Sequence, residues 1–196
     1  LMIMDLNKVK ELREKTGVSI TQCKAAMEEA GGDMGKAVEI LRKKGEKVAD
    51  KKSVREIKSG LIETYIHGNG KIGVMLELGC ETDFVAKNQE FKDLAHDVAM
   101  HIAAMNPKYL KVEDVPDEVI RAEKDIYREQ LKGSGKPDNI LAQIIEGKIK
   151  KYSEEKSLLT QSFIKNPDIT IEGLLRDKIL KIGENIQIRR FARYEI

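Results

Sequence analysis

Tryptophan is absent from this chain, and cysteine occurs only twice and proline four times in 196 residues. The two cysteines, Cys23 and Cys80, lie far apart and form no C-x-x-C pair, which excludes a disulfide framework or a thiolate zinc cluster. Both are expected as buried, reduced thiols. An excess of one charge sign is missing as well: 35 Lys and Arg face 33 Asp and Glu, leaving +2, which does not mark a dedicated nucleic-acid binder. No apolar run approaches the roughly 20 residues that a membrane-spanning helix needs, so a soluble chain without a membrane partner is expected. The start, Leu1-Met2-Ile3-Met4-Asp5, is apolar for four residues before an acid, with no basic lead and no small-residue cleavage site; it reads as no export signal.

Chemistry-bearing patterns are equally sparse. His67, His96 and His101 fit no H-E-x-x-H or other ligand spacing. Ser134 sits in Gly-Ser-Gly rather than G-x-S-x-G, and there is no P-loop. Gly68, Gly70 and Gly73 match G-x-G-x-x-G, but a phosphate-binding loop must open a helix, and here a strand pattern follows. The expectation is a binding protein rather than an enzyme, with no metal and no cofactor.

What is present is helix and strand punctuation for an α+β chain, its length fitting one compact domain or a small module joined to a larger one. Over residues 1–45, Leu6, Val9 and Leu12 predict a helix stopping near Gly17. Ser19-Ile20-Thr21-Gln22 opens a second as a reciprocal cap, with Cys23, Met27 and Ala30 as its stripe and Gly31-Gly32 at its end. Asp33 caps a third, carrying Val38 and Leu41 and ending before Gly45. Residues 42–58 hold eight Lys or Arg against three acids, and read as a solvated linker or a charged helix, with 46–56 taken as the linker.

The rest, 57–196, predicts a core of helices and an antiparallel sheet. Alternating apolar positions over Ile62–Ile66 and Ile72–Leu78 flank Asn69-Gly70, a strong hairpin signal. Phe91, Leu94, Ala95, Val98, Ile102 and Met105 predict a helix capped by Asn88 and closed by Pro107. A helical insertion near 116–153 follows, one helix from Pro116-Asp117 to Leu131 and another from about Asp138 to Tyr152. A segment near Leu158–Ile164, a helix over Ile171–Leu180 and a final strand over Ile186–Tyr194 complete the chain. Ile186, Ile188, Phe191 and Tyr194 are candidates for core or subunit contacts, with core favoured. On spacing alone, Phe84 beside Asp83 at a strand-to-helix junction is either a core aromatic or an exposed anchor.

Thr82-Asp83-Phe84-Val85-Ala86, taken with Val9-Lys10-Glu11-Leu12-Arg13, resembles the elongation factor Ts family. Thr16-Gly17, Cys23-Lys24, Ala30-Gly31-Gly32-Asp33 and Ala37 fit its N-terminal module, and Gly183-Glu184-Asn185-Ile186 with Arg189-Arg190-Phe191 fit its C-terminal end. The resemblance spans nearly the whole chain. It implies a ubiquitin-associated-like fold for the three-helix module and a cytoplasmic guanine nucleotide exchange factor acting on elongation factor Tu. Thr82, Asp83, Phe84 and Val85 are the implied partner-binding segment, with Asp83 and Phe84 entering the partner and disturbing its magnesium and phosphate binding. Leu12 and Ile20, beside Val18, Ser19 and Thr21, are candidates for a second contact, Leu12 being equally a candidate for core. Longer relatives carry two related core subdomains where this chain has one, and the short form implies a homodimer that requires no nucleic acid. The alternatives are a ribosome- or RNA-associated module using the basic segment with Arg189, Arg190 and Arg193, and an enzyme with an unrecognised carboxylate site.

Overall fold

The computed structural model describes residues 5–196; the apolar start Leu1 to Met4, on which the export-signal reading bears, lies outside the described residues. Three helices come first: α1 (Leu6–Thr16), α2 (Ile20–Glu29) and α3 (Met34–Lys52). Strands β1 (Ser59–His67) and β2 (Ile72–Cys80) form a hairpin, followed by the four-residue helix α4 (Asp83–Ala86) and the long α5 (Gln89–Met105). Then come α6 (Asp117–Leu131), α7 (Asp138–Lys156), the short strands β3 (Ser162–Phe163) and β4 (Asn166–Thr170), α8 (Ile171–Ile182) and β5 (Ile186–Glu195). The class is α+β, as the sequence predicts. No described helix is long and apolar enough to cross a membrane.

The chain divides into two compact units: residues through Ile62 with Glu77–Asp93 and Gly173–Arg189, and residues Glu63–Leu76 with Leu94–Glu172 and Arg190–Ile196. In the first unit, local chemistry sets the helix ends. Asp5 and Asp33 accept from Asn7 N–H and Lys36 N–H, each at 2.9 Å, and Gly17 ends α1 in the left-handed conformation with its N–H on Arg13 O. Ser19 Oγ accepts from Gln22 N–H at 3.3 Å and donates to Gln22 Oε1 at 3.0 Å, so the return arm of the cap meets the hydroxyl rather than a backbone amide. Val9, Leu12, Val18, Cys23, Ala26, Met27, Ala37 and Leu41 form the core of this part, joined by Leu180 of α8.

Gly45 does not end α3, contrary to the sequence expectation; the helix continues through the basic stretch to Lys52. A glycine inside a helix costs about 1 kcal/mol relative to alanine, too little to stop a helix that packing holds. Gly45 is buried and its position faces Leu180, so it marks a close approach rather than a terminus. Of residues 42–58, read as linker or charged helix, those through Lys52 are helix.

Strand order in the main sheet is β1-β2-β5. In the second unit Ile196 N–H donates to Lys71 O at 3.1 Å, so the end of β5 meets the start of β2 and the two run antiparallel. Val74 and Leu76 of β2 are buried, but Ile66 of β1 is exposed, as are Met75 and Tyr194. The apolar alternation thus coincides with the covered face in β2 and with the outer face of the edge strand in β1. Tyr194, favoured as core, stands in solvent because it lies at the exposed end of β5 beside Glu195. Helix α5 is tied to the sheet by His96 Nδ1 with Glu63 Oε1 (3.0 Å) and by Arg193 Nε on Ala103 O (3.0 Å). Helices α6 and α7 form the expected hairpin, bridged by Lys124 and Glu146 at 2.7 Å.

The two-stranded β3-β4 ribbon was not legible: one strand has two residues, and the other carries Pro167. It is held through His101, fully buried on α5. Gln161 Nε2 donates to Glu155 O (2.8 Å), which turns Oε1 toward His101 Nε2 (3.0 Å), while Ile164 N–H donates to His101 Nδ1 (3.3 Å). That pattern needs a neutral ring protonated on Nε2, and burial holds the imidazole below its ordinary range. The unfolded chain therefore binds this proton more readily than the folded one. Stability from this site is full above about pH 6.5 and is lost as pH falls through the lower folded value. Urea titrations at stepped pH should show the midpoint dropping on acidification, with that part of the slope removed in His101→Gln.

Candidate functional site

Residues 82–88 link β2 to α5 and turn the chain through one short helix. Thr82 is extended, with φ −131° and ψ 155°, and the backbone then closes into α4, where Ala86 N–H donates to Thr82 O (3.2 Å) and Lys87 N–H to Asp83 O (3.2 Å). Asn88 starts the next helix as predicted: its side-chain oxygen accepts from Glu90 N–H at 2.9 Å. Between these two starts, α4 has room for only four residues, and none of them is buried.

Phe84 is 90% exposed. That observation excludes the core reading that spacing left open, because a core aromatic is covered and this one is not. An aromatic ring left in water forgoes about 1.5–3 kcal/mol of burial free energy, which folding of this chain does not recover. The neighbouring contacts hold the segment rather than the ring. Ser59 Oγ donates to Asp83 Oδ1 at 2.5 Å, and Cys80 Sγ–H donates to Thr82 O at 3.2 Å. Burial, with the Glu184 carboxylate adding to it, pushes the Cys80 thiol up, so it stays protonated as this bond requires. Ser59 was not singled out from sequence; it lies in β1, and only the pairing of the hairpin brings it beside a residue 24 positions later.

Asp83 also borders a shallow groove along the β1 edge, lined by Ile57, Ser59, Leu61, Leu78 and Arg189, with Arg189 Nη2 donating to Ile57 O at 2.7 Å. Gly60 lies in this wall, where a Cβ would run into the Leu78 carbonyl. Thr82, Asp83, Phe84 and Val85 lie on one short segment, the first three exposed and Val85 half-buried. Leu12 does not join a surface: it is fully buried among the first three helices, which settles it as core. Ile20, at the first turn of α2, is 48% exposed and remains accessible. Among the described residues no group of three or more His, Cys, Asp or Glu side chains is arranged to hold a metal ion.

The segment after β2 thus carries an exposed aromatic ring on a short turn whose ends are hydrogen-bonded to the sheet. The family profile described as elongation factor TS matches residues 6–179. The chain is 56% identical over 188 residues to elongation factor Ts of Carboxydothermus hydrogenoformans, covering 96% of this chain and 87% of that protein. It is 54% identical over 195 residues to elongation factor Ts of Thermodesulfovibrio yellowstonii and 53% over 195 to that of Thermotoga petrophila, each covering 100% of this chain and 97% of the relative. The chain belongs to the elongation factor Ts family, and its role is that of a translation elongation factor.

Proposed function

We propose that this chain is a guanine nucleotide exchange factor for elongation factor Tu, acting by inserting Asp83 and Phe84 into the partner's GTP-binding domain. The 90% exposed Phe84, on a turn whose flanks are hydrogen-bonded, is the observation that carries the reading. A ring entering an apolar slot displaces the partner elements that hold the magnesium ion and the GDP phosphates. GDP affinity then falls because coordination is lost, and no bond is made or broken by this chain. Linkage requires the factor and GDP to weaken each other's binding by the same factor, so a nucleotide that restores the partner's site expels the factor.

In this reading Ile20 supplies a second contact from α2, and the protein acts in the cytoplasm without nucleic acid. Two copies pair, an arrangement that the exposed Ile66 and Met75 of the second unit support by offering uncovered apolar area. The deciding experiment loads elongation factor Tu with a fluorescent GDP analogue and chases it with unlabelled nucleotide. Release accelerated in proportion to added factor is expected; release unchanged at saturating factor with a matched partner overturns the proposal.

A further inference from the structure

Gly183, Glu184 and Asn185 form the turn between α8 and β5, a hundred residues from Phe84 in sequence. In space this turn sits against the end of β2. Glu184 Oε2 accepts from both Glu81 N–H (3.1 Å) and Thr82 N–H (3.0 Å), and Glu184 Oε1 accepts from Thr82 Oγ at 2.6 Å. One carboxylate therefore satisfies three donors of the two residues that lead into α4. The contact is returned. Glu81 Oε1 accepts from Asn185 N–H at 2.6 Å and pairs with Arg55 Nη1 at 3.5 Å.

The turn is itself anchored. Asn185 is 1% exposed and its side-chain amide donates to Arg55 O at 2.9 Å, while Lys52 at the end of α3 donates to Gly183 O. Where β2 ends and its ladder to β5 stops, side chains replace the backbone bonds: each of two carboxylates takes the main-chain amide of the other's segment. Thr82 makes no side-chain cap on α4; its hydroxyl instead donates to Glu184. The same bond fixes the extended backbone of Thr82, and hence the direction in which α4 leaves the sheet and Phe84 points.

We propose that Glu184 is the positioning residue of the Asp83–Phe84 turn, holding it in its binding geometry before the partner arrives; the inference rests on the exchange-factor reading above. A segment ordered in advance loses less conformational freedom on binding, so its removal weakens encounter affinity more than it slows release within the complex.

The test compares wild type, Glu184→Ala and Glu184→Gln by the dependence of GDP release on factor concentration. The alanine variant should raise the half-saturating concentration about tenfold while leaving the maximal rate within about twofold. Glutamine keeps a carbonyl oxygen for the two amides, and should stay within about threefold of wild type. Amide hydrogen exchange of the free protein gives a readout independent of any partner: Thr82 N–H should lose protection in Glu184→Ala while α5 amides keep theirs. Unchanged protection at Thr82, or unchanged half-saturation, overturns the assignment, as does a loss confined to the maximal rate. If the alanine variant does not fold, Glu184→Asp replaces it, the carboxylate being drawn back by one methylene; wild-type protection at Thr82 in that variant also overturns the assignment. Should wild type itself fail to accelerate release, the exchange reading falls, and Thr82 protection still decides whether Glu184 holds the turn.

Discussion

Phe84→Ala is expected to remove most of the acceleration of GDP release while leaving the protein as stable as before. The two halves of that result have separate origins. Stability depends on what the ring touches in the free chain, and at 90% exposure it touches little, so the change should stay within about 0.5 kcal/mol, as for surface substitutions generally. Function depends on what the ring enters. Aromatic anchors seated in partner pockets cost on the order of 2 kcal/mol or more when truncated, equivalent to a loss of about 30-fold. Urea denaturation and the fluorescent GDP chase, run on the same preparation, read both quantities. A variant that unfolds more easily would show that Phe84 belongs to the core; a stable variant with full activity would move the wedge to another residue.

Leu12→Ala should behave in the opposite way. Leu12 is fully buried against Val9, Met27, Leu41 and other members of the first helical core, where large-to-small changes cost about 2–5 kcal/mol through lost transfer energy and the cavity left behind. The part of the chain that absorbs this loss is small and supplemented by a single buried leucine of α8, so it has little reserve. Amide exchange should reveal loss of protection across α1–α3, and the thermal midpoint should fall. Any drop in exchange activity should then follow the loss of folded module and be recovered at lower temperature. A fully stable Leu12→Ala with weakened partner binding would return Leu12 to the surface.

Much of this arrangement could be read from residue order because its causes are local. Asp33, Asn88 and Gly17 act within a few positions of themselves, and the Asn69-Gly70 turn fixes a hairpin from its own dihedral preferences. The failures share a different cause. Gly45 was taken as a stop because nothing near it in sequence announces Leu180. The apolar alternation over Ile62–Ile66 marked a strand but not its covered face, because alternation reports two faces without saying which one is buried, and Ile66 is exposed. At the site, the Thr82–Val85 segment was legible through its resemblance to a known family, whereas Ser59 and Glu184 act on it through contacts that span 24 and 102 positions. Such contacts exist only after β1, β2 and β5 have come together.

Helix α4 buries none of its residues, and the side-chain bonds that hold it fall on its first residue, Asp83, and on Thr82 before it. Folding therefore places almost no constraint on which side chain occupies position 84, exposed where Val85 and Ala86 are half-buried, and selection there is free to answer to the partner alone. A library randomised at that position should express and fold with little variation, and sort only by the GTPase it engages. The scaffold would serve as a mount on which exchange specificity can be rewritten by changing one residue.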